Sequence, residues 1–291
     1  MKKDRLRRAI LYLCVFISAI WVIHPFVLMA FYSFVPDKDI FSRTLVFPSS
    51  FTLDGYFWVL GLPMSPDNPF KGTSGSINFY KAAMNSLIPA FIAGIAVVVI
   101  TIFSGYSLAR YGHNRVVRYL GILYLAKQFL PWVLFMTPYY IMFATFRLID
   151  NFISLIVVYI GSNLPWSVWM ISAFVSEIPV DLEEAALVDG CNTRQMVLKI
   201  LLPMIAPGLV AVFLFAFTNV WNAYLIPLIL SSTIETKPLA VLIAELFTWY
   251  GRTYYSGLFA LCTLTTVPVA VMFVYLQKFL IRGLSRGAVK G

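Results

Sequence analysis

The sequence predicts an all-α integral membrane protein with six transmembrane helices, a helical loop between the fourth and fifth, and both termini cytoplasmic. Three observations predict it. Of 291 residues, 60% are hydrophobic and only 12% charged, with a mean hydropathy of +0.83, whereas a soluble globule of this size carries about 25% charged residues. Six apolar runs each reach the roughly 20 residues that a helix needs to cross about 30 Å of hydrocarbon with its backbone groups paired. Finally, Lys and Arg are divided unequally between the segments that alternate across the membrane.

The first run, 9–35, follows MKKDRLRR, which has the charge of a signal-peptide start. The run is longer than a signal core and ends in no small-residue cleavage site, so it reads as a retained span. Segment 36–84 then reads as an external cap within the same single transmembrane domain, rich in turn residues (GLPMSPDNPFKGTSGS), with Phe51, Tyr56, Phe57 and Trp58 expected at the interface or on a partner. Further spans are expected at 85–109, 118–145, 151–175, 204–230 and 256–281. The N-terminal tail, the 110–118 and 177–203 loops and the C-terminal tail hold 14 basic residues; the opposite side holds seven: Lys38, Arg43, Lys71, Lys81, Arg147, Lys237 and Arg252. The richer side is cytoplasmic. The net charge of +9 is therefore accounted for by topology, and no nucleic-acid partner is indicated.

The 177–203 loop departs from the rest. In IPVDLEEAALVDGCNTRQMVLKILLP, Asp181 stands three before Glu184 and Asn192 three before Gln195. Each pair has the spacing of a capping box, in which a short acceptor and a longer side chain satisfy helix-end N–H groups reciprocally. Gly190, between the two short helices, suits the left-handed position that ends the first. Leu182, Ala185 and Ala186 are expected on one small face able to meet a partner closely, with Glu183 and Asp189 pointing elsewhere. Pattern alone leaves two readings, a solvated connection or a docking element.

The full spacing is more specific. Glu184-Ala185-Ala186, three residues, Gly190, nine residues, Ile200, one residue, Leu202-Pro203 resembles the EAA loop of bacterial ABC-importer permeases. WNAYLIPLIL at 221–230 is similar to a stretch of the carbohydrate-uptake branch, and the terminal LSRGAVKG is similar to the end of the smaller maltose-type permease subunit. The resemblance implies a bacterial inner-membrane permease for a carbohydrate. Asp181, Glu184, Ala185, Ala186, Gly190, Ile200 and Pro203 would then form a coupling helix seated in a cleft of a cytoplasmic ATPase. It further implies a heterodimer with a related permease, two ATPase subunits carrying ATP and Mg, and an external solute-binding protein. The LSRGAVKG tail, expected to lack regular structure alone, would lodge between the ATPases.

No GxxxxGK[ST] occurs, so no phosphate cradle and no cofactor is expected in this chain. Cys14, Cys191 and Cys262 form no metal or disulfide spacing. His24 reads as a buried, hydrogen-bonded residue, and His113 lies in a basic loop; neither has a nucleophile beside it. A membrane-embedded transferase would need acids that the spans lack, whereas an export or assembly scaffold of the same superfamily stays open as the alternative.

Within the spans, polar groups coincide with prolines, which lack the N–H owed to the carbonyl four residues back. Pro131, Pro165 and Pro227 are expected to free the carbonyls of Lys127, Gly161 and Ala223. Beside them stand Lys127, Gln128, Asn163, Trp166, Asn219, Asn222 and Tyr224, which read either as a substrate pathway or as interhelical hydrogen-bonding groups; Trp169 reads as core. Amides with aromatic rings suit a hydroxyl-rich solute. Lys127, roughly 13 Å along its span from Arg118, costs around 3 kcal/mol in hydrocarbon. Its partner would be an acid on the second permease, the interface reached by its long stem, or an anionic substrate such as a uronate oligosaccharide.

Overall fold

A computed structural model of the chain describes residues 2–40, 48–72, 78–248 and 253–287. Arg43, Arg252 and the last four residues of the tail motif lie outside the described residues. Among those described, every regular element is helical. Five helices are long and apolar enough to cross a membrane: α1 (Lys2–Tyr32), α4 (Phe79–Tyr111), α7 (Phe152–Ser176), α10 (Leu202–Trp221, continuing an apolar stretch from Thr193) and α13 (Tyr255–Gly287). Short helices α2 (Asp37–Ile40) and α3 (Asp54–Leu60) lie between the first two in sequence, and α12 (Leu239–Thr248) precedes α13. The helix of α13 runs on through Gly287, so the first four tail residues are helical rather than irregular as expected.

The continuous helix expected over 118–145 is instead two. Helix α5 (Arg115–Gln128) and the segment Trp132–Thr145, a 3-10 turn followed by α6 (Met136–Thr145), meet at 106°. Pro131 stands at the break, and the carbonyl of Lys127 is not left free: it accepts from the Leu130 N–H at 3.3 Å. Tightening of the last turn satisfies the carbonyl that an uninterrupted helix would have lost to proline. The run at 204–230 is likewise divided. Helix α10 ends at Trp221 and α11 (Leu225–Leu230) follows, placing Pro227 in its first turn, where no N–H is required. Helix α7, by contrast, continues through Pro165.

The chain forms two compact units. In residues 81–241 with 269–291, α4, α7, α10 and the connecting helices α8 (Val180–Val188) and α9 (Thr193–Met196) bury one apolar cluster that includes Val97, Ile171, Val175, Leu201, Ile205 and Ala216. Close approach depends on two glycines: a Cβ on Gly105 would stand 2.7 Å from Ile171, and one on Gly208 2.6 Å from Phe174. Trp169, expected in the core, is half-buried and donates its indole N–H to the Gly121 carbonyl at 3.0 Å, joining α7 to α5.

Asp150 fastens the loops of this unit. Held at φ +58°, it donates its N–H to the Leu230 carbonyl at 2.7 Å. Its carboxylate accepts from the Ser232 and Thr233 N–H groups at 2.9 and 3.0 Å and from the hydroxyls of Thr233 and Thr236. The loop before α7 is thereby locked to the end of α11.

In the other unit, residues 1–80 with 242–268, buried Asp54 organises the segment after α3. It accepts from Ser65 N–H and Oγ and from Asn68 Nδ2, each at 3.0 Å. Trp58, expected on a surface, is only 6% exposed and packs edge-on against Tyr254. The missing Cβ of Gly257 makes room for its ring. His24 lies on the exposed surface of α1, among turns that are themselves exposed, and is not the buried histidine expected.

Burial alone would raise the Asp150 carboxyl, but the Thr233 and Thr236 hydroxyls and the two N–H donors hold it down at about 2. A group depressed on folding contributes stability above its unfolded pKa near 4, lost as pH falls through the folded value. Thermal unfolding of the purified chain should show Asp150→Asn melting below wild type at pH 6, with the difference closing by pH 2.

Candidate functional site: a cavity at two helix breaks and a clamped loop

The two interruptions in the helices meet at one place. Gln128 and Trp132 flank the first break, Asn222, Ala223 and Tyr224 form the second, and together with α7 they enclose a cavity of about 480 Å³. That volume falls within the range of small-molecule sites. Six of the seven residues singled out for a pathway line it: Gln128, Asn163, Trp166, Asn219, Asn222 and Tyr224. Their sequence separation gave no sign that they would converge. Trp132, Tyr159, Ser162 and Phe215 complete much of the wall; the three aromatics were missed because apolar-run analysis assigns aromatics in spans to core or lipid, and Ser162 because a lone hydroxyl in a span pairs with its own helix, as it does with the Val158 carbonyl.

The amides are held in a defined order. Asn163, buried, donates to the Tyr159 carbonyl at 2.8 Å and accepts from Asn219 Nδ2 at 3.0 Å, so the pair bridges α7 and α10. The same two side chains therefore pair helices and line the cavity. Asn222 donates to the Thr218 carbonyl at 2.9 Å, leaving its amide oxygen available. Trp166 is 50% exposed and faces Phe215 at 5.9 Å between ring centres. No carboxylate stands among the lining residues. Lys127 is not itself on the wall. Its ammonium lies 4.9 Å from the ring centre of Trp132, which is, in a cation–π contact suited to a partly desolvated charge.

The second region is the 177–203 loop. Its first helix ends as expected: Gly190 takes φ +88°, with Gly190 N–H bonded to the Leu187 carbonyl and Cys191 N–H to that of Ala186. These two bonds form the Schellman closure, which a residue with Cβ would strain. The Asn192–Gln195 capping box is formed in both directions, at 2.8 and 3.0 Å. The Asp181 box is not. Helix α8 starts after Pro179, so Asp181 lies within the first turn, exposed and not in a capping position.

The facing of α8 also differs from expectation. Ala186 is 5% exposed and belongs to the chain's own core beside Met196 and Val197. Glu184, Ala185, Leu187 and Val188 are exposed, Val188 at 87%, while Ile200 is half-buried against the core and Pro203 exposed near the start of α10. Between α9 and α10, Val197–Leu201 makes a π-helical turn closed by Leu202 N–H to the Val197 carbonyl. Pro203, two positions after that turn, lacks an N–H for Lys199, and the widened turn re-pairs the backbone there.

Glu183, expected to face away, is instead 6% exposed. Arg110, from the last turn of α4, binds its Oε1 through Nε at 2.8 Å and Nη2 at 2.6 Å; Tyr106 donates to Oε2 at 3.0 Å. Arg110 Nη2 also donates to the Ile178 carbonyl at 2.8 Å. A buried pair broken on one side costs about 3–5 kcal/mol, because the remaining charge is stranded. Helix-face counting turns Glu183 away from the small face but gives no sign of its partner Arg110, which lies on another helix far back in the chain.

A sequence profile of the binding-protein-dependent transport system inner membrane component family matches residues 101–286. The diacetylchitobiose uptake system permease protein of Streptomyces coelicolor is 28% identical, over 94% of this chain and 93% of its own length. The trehalose transport system permease protein of Mycobacterium tuberculosis is 31% identical, over 89% and 93%. Among solved structures, a bacterial ABC transporter involved in the import of the acidic polysaccharide alginate superposes with a TM-score of 0.77 at 17% identity, over 96% of this chain and 98% of that one; it shares the fold. Because the profile spans more than half of its length, this multi-pass membrane protein belongs to the family of binding-protein-dependent transport system inner membrane components.

Proposed function

We propose that the chain is the permease subunit of an ABC importer for a carbohydrate, working with a second permease, two ATPases that bind ATP and Mg, and an external solute-binding protein. The observation that carries this reading is the convergence of amides and aromatic rings on one cavity at two helix breaks. Rings cover the faces of sugars and amides pair their hydroxyls, and the named uptake activities of the relatives from Streptomyces and Mycobacterium agree in class. In this reading the termini and the 177–203 loop are cytoplasmic, as the basic-residue distribution requires. The exposed face of α8 meets the ATPase, and rocking of the helices opens the cavity to alternate sides.

The substrate class follows from charge. A cavity wall without carboxylates and with the Lys127 ammonium behind Trp132 favours a solute bearing carboxylates among its hydroxyls, such as a uronate oligosaccharide. Lys127→Met keeps the stem and removes the charge. In proteoliposomes holding the whole transporter, it should lower uptake of a uronate oligosaccharide by about tenfold, the equivalent of 1.4 kcal/mol, while basal ATP hydrolysis persists. Uptake of neutral sugars only would overturn the acidic substrate and leave the importer standing.

The docking surface is tested separately. Ala185→Arg places a long cation on the exposed face of α8 and should abolish copurification of the ATPase without loss of membrane insertion. Gly190→Pro, which is incompatible with φ +88°, should abolish uptake. Full ATPase recovery and wild-type uptake in both variants would contradict the coupling role.

A further inference from the structure

Besides the packing of Ala186 into the core, helix α8 has three attachments to the rest of its unit. Covalently, it follows α7 through only Glu177, Ile178 and Pro179, and it leads to α9 through the left-handed Gly190. Both connections are turns about which a short helix could pivot. The third attachment removes that freedom: Glu183, in the first turns of α8, is held by Arg110 and Tyr106 of α4, while the same guanidinium grips the carbonyl of Ile178 in the α7–α8 link. One arginine thus ties together the end of α4, the exit from α7 and the start of α8.

We propose that Glu183, Arg110 and Tyr106 are positioning residues forming the rigid joint through which displacement of α8 passes into α4 and α7. The joint rests on the reading of α8 as the ATPase-contacting helix, and adds the route by which its motion reaches the cavity. A buried carboxylate with both oxygens engaged cannot slide gradually, since partial separation leaves charge unsolvated inside the protein. Motion of α8 therefore carries α4 with it. Helix α4 in turn is packed on α7 without clearance at Gly105 and Ile171, and α7 bears Tyr159, Asn163 and Trp166 of the cavity wall. Close-packed contacts of this kind transmit displacement instead of absorbing it.

The test uses the complete transporter in proteoliposomes, with solute uptake and ATP hydrolysis measured on the same preparation. Glu183→Gln keeps the volume and removes the charge; Arg110→Lys keeps the charge and loses the two-armed grip. Val188→Cys, on the exposed face of α8, reports contact with the ATPase by cross-linking in both the wild-type and variant backgrounds. The joint predicts that cross-linking and ATP hydrolysis continue while uptake per ATP falls about tenfold in Glu183→Gln, within the range by which two sites in one protein typically couple, and less in Arg110→Lys. An unchanged ratio in assembled Glu183→Gln overturns the proposal. Failure of both variants to assemble also overturns it, because the network would then serve folding alone. Absence of the cross-link in the wild-type background overturns the reading of α8 itself, and the joint with it.

Discussion

Every backbone N–H and C=O placed in hydrocarbon must find a partner within the protein, and the architecture follows from that requirement. It makes every regular element among the described residues a helix and restricts where a helix can stop. At 129–131 the last carbonyls of α5 are taken up by a tightened turn; at 222–224 the end of α10 is closed by Asn222 and Ala223 N–H groups bonding back to Thr218 and Val220. Both breaks border the same cavity. Irregular backbone within a bilayer is tolerated where it lines a space that water or a solute can enter, so on the proposed reading the breaks and the cavity are one feature.

A second constraint, the cost of stranding charge, governs the connecting loop. The chain buries Glu183 only because Arg110 and Tyr106 engage both of its oxygens. Asp150 illustrates the milder case: a carboxylate near the surface, satisfied by backbone and hydroxyl donors, which locks the end of α11 to the start of α7. One acid fastens the 177–203 loop and the other fastens the segment that supplies the far wall of the cavity. On the proposed reading these are the two regions that must move in register during transport.

Much of this was legible in the sequence, and the misses have physical causes. Apolar run length located α1, α4, α7, α10 and α13 because burial in lipid demands length and composition that nothing else does. Gly190 and the Asn192–Gln195 box were readable because cap geometry is local. Asp181 misled for the same reason: the box spacing is present, but Pro179 starts the helix earlier and leaves the acid inside it. The 106° bend at Pro131 was not legible, since proline in a membrane helix is equally compatible with a kink or an end. Burial of Glu183, Ala186 and Trp58 depends on distant partners, Arg110, Met196 and Tyr254, that no local pattern names. The cavity residues were found singly by their polarity in apolar runs; their meeting is a property of packing alone.

On the proposed reading, the space at the two breaks is wet and is entered by the solute. Asn222 lies on its wall and can carry the probe, as Asn222→Cys in a chain whose Cys14, Cys191 and Cys262 have been replaced by serine. In the assembled transporter, a hydrophilic thiol reagent should label this cysteine in at least one nucleotide state, and saturating carbohydrate substrate should slow the labelling. No labelling in any nucleotide state, or labelling that substrate leaves unchanged, would contradict it.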